Sequence, residues 1–341
     1  MSWLKKHLML SRLIIKMDIP PVSIVIPNFN GEQILTPTLK SVLKASSAYK
    51  GEMEILLVDD ASTDKSIELI RSLFSEIKIL KHDKNKGFSE AVSTGVKGAA
   101  HAIVILLNSD VIPDVNFISP LISWFNRPDI FSVSPLILGK TGNPQRGSWT
   151  VGKIKRGEMR KENWEIKAAL KAVQNGHILK SLYASGGSMA FRKKMFLELG
   201  GFFPLYKPFY VEDRDLGTRA WRKGWQTIFE PRSMVTHDHI GTIKRFFAKK
   251  KIKVIRKRNR FFYLWLHFST SRLIFLHFPW SLIRLPLRIL KLDFVYPMAF
   301  FKALLQMGEV IHLRKKLKKQ LGEVTLEEIL ENIKVSYKLT K

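Results

Sequence analysis

Ile55-Leu56-Leu57-Val58-Asp59-Asp60 and Ile103-Val104-Ile105-Leu106-Leu107-Asn108-Ser109-Asp110 are two apolar runs that each end in acid. Short continuous runs of this kind suit strands covered on both faces, as in a parallel sheet. In such a sheet the ligand crevice lies beyond the carboxyl ends of the strands. Acids that close neighbouring strands therefore collect where a ligand sits, and as grouped like charges they call for a cation or for hydrogen-bond donors.

Upstream, Val22-Ser23-Ile24-Val25-Ile26-Pro27 reads as a first strand and Asn28-Phe29-Asn30-Gly31 as its turn. A helix follows, with Pro37 suiting a first turn and Leu39, Val42 and Leu43 at helical spacing. Glu54 to Val58 is the second strand, and Ser62-Thr63-Asp64 caps a helix through Ile70 and Leu73. Ile77 to Leu80 is a third strand, Asn85-Lys86-Gly87-Phe88 a loop opening the next helix, and Ile103 to Leu107 a fourth strand. Strands alternating with helices at this spacing predict an α/β class with helices on both faces of a mostly parallel, Rossmann-like sheet.

Residues 20–115 thus form a nucleotide-binding half, and 116–243 a less regular second half. There Gly186-Gly187 lies in a small-residue turn, Lys193 to Leu199 is a helix stopped by Gly200-Gly201, and Glu212-Asp213 opens a helix that Gly224 ends. Trp225 to Phe229 is a strand and Pro231 to His237 a further extended piece. Thr325-Leu326-Glu327-Glu328 fits a capping box for a last helix. Lys153 to Lys171 is polar, mixed in charge and matches no element.

With 341 residues the chain can bury one large core or two smaller ones. Its 57 Lys and Arg against 29 Asp and Glu leave a net +28, which implies a polyanionic partner, nucleic acid or anionic lipid. Lys244 to Arg260 holds ten cations and no acid; Phe261-Phe262-Tyr263-Leu264-Trp265-Leu266 follows directly. Leu273 to Leu292 is rich in Leu, Ile, Phe and Trp, with Arg284 and Arg288 among them. Cations beside bulky aromatics describe a membrane interface better than a nucleic-acid groove. Uncharged runs reach only about eleven residues against the roughly 20 a spanning helix needs. The expectation is monotopic attachment of a basic, aromatic-rich helical region, 244–341, to an anionic membrane surface. Core helices or an interface in a homo-oligomer are the competing reading. Residues 1–19 read as a basic amphipathic leader, and the absence of cysteine excludes disulfides and thiolate metal sites.

Asp110 alone would serve as a cap or turn residue as readily as a ligand. Near the Asp59-Asp60 strand end it gains a second reading, because Mg²⁺ or Mn²⁺ takes few carboxylates and completes its shell with water and phosphate oxygens. His237 is the best imidazole candidate beside it. Glu212-Asp213 either compensates a helix dipole or supplies a general base toward a hydroxyl.

The ordered series resembles family 2 inverting GT-A glycosyltransferases, most closely the rhamnosyltransferase-like branch of bacterial surface polysaccharide synthesis. It comprises Val22 to Gly31, Val58 to Asp64, Asn85 to Phe88, Leu107 to Asp110, Gly186-Gly187, Gly200-Gly201-Phe202, Glu212 to Leu216, and Pro231 with His237. The resemblance covers about 20–265, over two thirds of the chain. The resemblance implies a GT-A fold over 20–243 that moves a sugar from a nucleotide-diphosphate-sugar to a hydroxyl of a glycan or lipid-linked acceptor, at the cytoplasmic face of the cell membrane. Pro27 and Phe29 would line the base pocket, Glu32 would lie near the ribose, Asp60 would bond the base, and Asp59 would support that loop. Asn85 and Gly87 would lie along the nucleotide-sugar, while Gly186, Gly187 and Glu212 would border the sugars. Asp110 would be the surviving acid of an Asp-x-Asp metal motif, with Asn108 in its first place; Asp110 and His237 would then hold Mg²⁺ or Mn²⁺. Asp213 would be the catalytic base. Phe203-Pro204 departs from the acidic pair that often follows Gly-Gly-Phe, and this bears on acceptor recognition.

Two other classes compete. A nucleotidyltransferase acting on sugar phosphates would carry a Gly-rich, cation-bearing phosphate loop after strand one, where this chain has Pro27-Asn28-Phe29-Asn30-Gly31. A basic nucleic-acid-binding protein would show a reader motif, and none is present.

Overall fold

The computed structural model describes residues 19–237 and 247–340. The leader expected over 1–19 falls outside them except for its last position, as does the boundary placed at 243/244.

Strands β1 (Val22–Asn28), β2 (Met53–Asp59), β3 (Lys78–Lys81) and β4 (Ile103–Leu107) pair in parallel in the order β3-β2-β1-β4. Helices α1 (Glu32–Ala48), α2 (Ser66–Leu73) and α3 (Phe88–Gly98) connect them. Strand alternation divides their side chains. Val22, Ile24, Ile26, Ile105 and Leu107 pack with Leu35, Leu39 and Val42 of α1, whereas Val25, Leu56, Val58, Val104 and Leu106 pack with Val92 and Val96 of α3. Both faces are thus covered, which is why these strands read as unbroken apolar runs. α1 begins at Glu32, so Pro37 lies inside the helix and not in its first turn.

The sheet continues through strands of the second half. β10 (Ser188–Arg192) runs antiparallel to β4 and to β6 (Ile130–Leu138), and β11 (Gln226–His237) runs parallel to β6. β5 (Val111–Pro113) and β9 (Lys180–Ser181) pair antiparallel with β11. The two extended pieces expected at 225–237 are one strand, interrupted where Glu230 pairs with Pro135 but Met234 with Leu136. The buried Glu230 holds this bulge: its carboxylate accepts from Trp124 Nε1 at 2.8 Å and from Arg232 at 2.6 and 2.8 Å. Residues 153–171, which matched no element, form the hairpin β7 (Gly152–Lys155) and β8 (Glu158–Lys161) and the start of α5 (Ile166–Gln174). Short α4 (Ile118–Ile122) and α6 (Lys193–Glu198) and the longer α7 (Glu212–Arg222) complete this half.

After it come α8 (Lys249–His267), α9 (Thr270–Leu290), α10 (Val295–Leu304), α11 (Met307–Leu321) and α12 (Leu326–Lys338). The aromatic run Phe261 to Leu266, expected to face lipid, is buried throughout. Phe261 packs edge-on against Tyr296 and Phe300 of α10, at 5.5 and 5.3 Å between ring centres. The same core cluster takes in Leu326, Ile329 and Ile333 of α12, whose capping box forms as the sequence indicated. α9 differs: it is a continuous helix, long and apolar enough to cross a membrane by length and composition, with most of its surface outside the protein. In the sequence its apolar stretch is broken by Arg272, Arg284 and Arg288, so uncharged runs alone do not show it.

α8 also reaches the second half of the sheet domain. Fully buried Asn259 donates from Nδ2 to the carbonyls of Tyr206, Phe209 and Tyr210 at 2.7, 2.9 and 2.9 Å. Asn259→Ala leaves those carbonyls without their donor. We expect a loss of about 2–4 kcal/mol, read as a lower urea midpoint at unchanged m-value.

Candidate active site

The crevice opens at the carboxyl ends of β1, β2 and β4. Asn28 and Asp59 are register partners, and the Asp60 N–H donates to the Asn28 carbonyl at 2.9 Å. Side-chain bonds zip the two following loops together. Ser62 Oγ accepts from the Asn30 N–H at 2.9 Å, Asn30 Oδ1 from the Thr63 N–H at 2.8 Å, and Asp59 from Asn28 Nδ2 and the Ser62 N–H, both at 3.2 Å. Asp64 serves two helix starts at once, accepting from the Glu32 N–H of α1 at 3.0 Å and the Ser66 N–H of α2 at 3.1 Å. Glu32 accepts from the Lys65 N–H at 3.3 Å. Pro27 is buried in this floor, and Phe29 is half-buried at its edge.

Asp60 organises the neighbouring wall. Its Oδ1 meets His82 Nδ1 at 2.7 Å and accepts from the Lys86 N–H at 2.8 Å, while Oδ2 accepts from the Gly87 N–H at 2.7 Å. Gly87 reaches this bond with φ +88°, a conformation that side-chain-bearing residues adopt rarely. Asn85 stands exposed in the same loop.

Gly186 and Gly187 bridge the crevice to α7. The Asn108 N–H donates to the Gly187 carbonyl at 2.9 Å, and the Gly186 N–H donates to Asp213 Oδ2 at 3.2 Å. A Cβ on Gly187 would lie 3.0 Å from Asn108 Nδ2, and one on Gly186 3.3 Å from Asp213 Cβ, so small residues permit this approach. Asp213 Oδ1 accepts from the Arg214 N–H at 2.7 Å. On the far side of Asn108, Asp110 Oδ2 lies 3.2 Å from His237 Nε2. β5 and β11 set that distance, since His237 is the register partner of Val111. The structure thus gathers Asn108, Asp110, His237, Gly186, Gly187 and Asp213 around the end of β4, with Asp59, Asp60 and Glu32 along the adjoining strand ends. Among the described residues no three His, Cys, Asp or Glu converge as a metal cage.

Several supporting residues carried no sequence motif. Tyr210 and Val211, just before α7, have φ of 75° and 82°; for a β-branched residue this is strained and must be held by its surroundings. Asn259 grips the carbonyls on the approach to this strained pair. One turn along α7, buried Asp215 accepts from Arg219 Nε at 2.7 Å, Tyr206 Oη at 3.0 Å and His267 Nε2 at 2.8 Å. Burial alone would raise the Asp215 carboxyl, but Arg219 and His267 outweigh it and hold it below the usual range. Burial pushes the His267 imidazole down, so it donates as a neutral ring. A lone Asn between Arg258 and Arg260, poor in helix propensity and central in a helix, was the available clue.

A Rossmann-like parallel half joined to a mixed second sheet region, with the crevice at their junction, defines a GT-A fold. Residues 23–200 match the family model Glycosyl transferase family 2, and the chain belongs to that family. Polypeptide N-acetylgalactosaminyltransferase 10 of Mus musculus is 29% identical over 228 residues, covering 64% of this chain and 38% of that protein. Dodecaprenyl-phosphate galacturonate synthase of Rhizobium johnstonii is 27% identical over 113 residues, 32% of this chain and 33% of that protein. The chain thus matches well under half the length of these relatives. Among solved structures, GalNAc-T7 with UDP, GalNAc and Mn²⁺ aligns with TM-score 0.59 at 19% identity, covering 75% of this chain and 49% of that one. The mannosyltransferase PcManGT from Pyrobaculum calidifontis, with GDP-Man and Mn²⁺, aligns with TM-score 0.51 at 16% identity, covering 93% and 86%. These two likenesses show the fold.

Glu212 and Asp213 occupy different environments. Burial, and then the neighbouring Asp213 charge, pushes the Glu212 carboxyl from its ordinary 4.5 up to about 8, and Oε2 has no hydrogen-bond partner. Burial thus disfavours the charged form of Glu212, which suits it poorly to compensate the helix dipole as an anion. A raised folded-state pKa contributes stability that is complete below about 4.5 and lost as pH rises through about 8. Glu212→Gln removes that loss. Melting curves between about pH 5 and pH 9 should show the variant gaining on wild type with rising pH, as linkage requires.

Proposed function

We propose that this chain transfers a sugar from a nucleotide-diphosphate-sugar to an acceptor hydroxyl with inversion, Asp213 acting as base. One observation carries the reading: the Gly186-Gly187 turn joins Asp213 to the end of β4, where Asp110 and His237 meet. Asp213 takes the proton of the acceptor hydroxyl, whose oxygen attacks the anomeric carbon from the face opposite the diphosphate. The bond to the diphosphate breaks and its electron pair leaves with the phosphate oxygen. N–H bonds from Gly186 and Arg214 hold the carboxylate in place for this. Glu212 adjoins Asp213 in a buried setting that disfavours a second negative charge there.

Asp110 and His237 fit a divalent cation, Mg²⁺ or Mn²⁺. They offer one carboxylate and one imidazole at a partly open edge, the sparse set such ions accept when diphosphate and water complete the shell. When bound, the ion supplies positive charge to the departing diphosphate. Pro27, Phe29, Glu32, Asp59, Asp60, Asn85, Gly87 and Asn108 would border the nucleotide, Asp60 retaining acceptor capacity at Oδ2.

The finer assignment, a rhamnosyltransferase-like enzyme of bacterial surface polysaccharide synthesis, rests on motif order and on Asn108 in the first metal-motif place. A lipid-linked acceptor is favoured by the exposed apolar side chains of α9 and α10, among them Phe275, Leu290 and Phe301. With net +28 they support attachment at the cytoplasmic face of an anionic membrane. Pairing of two copies through that face is the alternative, which the mass in solution would reveal.

Asp213→Asn should lower kcat about 10²–10⁴-fold while UDP- or GDP-sugars still raise the melting temperature of the variant. Full activity in Asp213→Asn, or a product of retained anomeric configuration by NMR, would remove the mechanism. EDTA should suppress turnover and Mn²⁺ restore it in wild type but not in Asp110→Ala; indifference to EDTA would point to a metal-free site.

A further inference from the structure

A second site lies away from the crevice, between the turn of the β7–β8 hairpin and α9. It is a cavity of about 310 Å³ lined by Arg156, Arg160, Arg284, Arg288 and Lys291 around Trp280. Arg284 and Arg288 are steadied by Glu158 and Asp293, each at 3.1 Å. Arg156, Arg160 and Lys291 have no ion pair among the described residues, so the site keeps a surplus of positive charge. Arg156 and Arg284 lie over the Trp280 ring, at 5.7 and 5.9 Å from its centre, and Arg284 also donates to the Arg156 carbonyl at 2.8 Å. The cations are thus braced into a cup and do not trail singly into solvent.

Helical geometry explains what adjoins it. At 100° per residue, Trp280, Arg284, Leu287 and Arg288 share one stripe of α9, and Lys291 caps the helix just beyond it. The next stripe round carries Ile283 and Leu290, with Leu282 and Phe275 beyond, and all four are exposed. A cup for concentrated negative charge therefore stands beside an uncovered apolar strip. A nucleic acid would satisfy the cup and leave the strip in water. A lipid satisfies both, its phosphate in the cup and its chains along the strip.

We propose that Arg156, Arg160, Arg284, Arg288 and Lys291 bind the phosphate head group of an anionic membrane lipid, placing α9 flat in the interface. This rests on the membrane-surface reading above and names the residues that would select the lipid. Five cations around one cavity favour a terminal phosphate, with its greater charge and three free oxygens, over a phosphodiester.

The test is sedimentation of the full chain with phosphatidylcholine vesicles containing either phosphatidic acid or phosphatidylglycerol at matched surface charge. Wild type should bind both and prefer phosphatidic acid. Arg156→Gln/Arg160→Gln/Lys291→Gln, all at exposed positions, should weaken binding about ten-fold or more and lose the preference. Lys315→Gln/Lys316→Gln/Lys319→Gln on α11 removes the same charge elsewhere and should keep the preference. Equal behaviour of the two triple variants would overturn the pocket while leaving membrane attachment standing. Failure of wild type to sediment with either vesicle at low salt would remove the membrane reading and the pocket with it. An oligonucleotide whose binding falls in the pocket variant, with vesicle binding unchanged, would reassign the pocket to nucleic acid and overturn the proposal.

Discussion

Asp215 is a carboxylate sealed from solvent, and such a charge persists only where its neighbours replace water on nearly every side. It recruits Arg219 from its own helix, Tyr206 from the preceding loop and His267 from the last turn of α8. Arg219 in turn donates to the carbonyls of Leu199 and Gly201. Three separated stretches of chain thus close on one buried group, two residues beyond Asp213. The position of the candidate base follows from this cluster, since α7 can neither rotate nor slide without stranding a charge in the interior. Asn259 completes the arrangement by holding the loop that enters the strained turn at Tyr210 and Val211.

The parallel half was legible in the sequence because its strands are covered on both faces. Burial on both sides writes itself as unbroken apolar runs, and the acids closing them mark the crevice edge. Asp59, Asp110 and Asp213 could be placed near a shared crevice on that basis and on motif order. The second half was harder to read. β7 and β8 are short, and only one of their faces meets the core, so Lys153 to Lys161 carries exposed charge that masks the hairpin. α8 misled for a related reason. Read linearly its eight Lys and Arg look like a surface, yet Val254, Ile255, Asn259 and Phe262 recur at helical spacing and are buried. The period of the apolar residues carried the signal, and the charge between them obscured it.

The two sides of the crevice are built on different physics. The side formed by the ends of β1 and β2 is a mesh of Ser, Asn, Thr and Asp side chains bonded to backbone. The side formed by α7 is packed on aromatic rings and a buried ion cluster, with little tolerance for movement. Small backbone N–H bonds at the Gly186-Gly187 turn are where the two meet.

The interruption in β11 has a wider consequence. Beyond Met234 the strand pairs with both β6 and β5, and only there does it carry His237 to the level of Asp110. The imidazole is thus positioned by counting residues along a backbone ladder. Adding or deleting one residue in the paired stretch from Met234 to His237 would move the ring by about 3.3 Å and turn it to the opposite face of the sheet. A length change there dismantles the pair outright, so the spacing from Met234 to His237 is a stricter constraint than the identity of the residues between them.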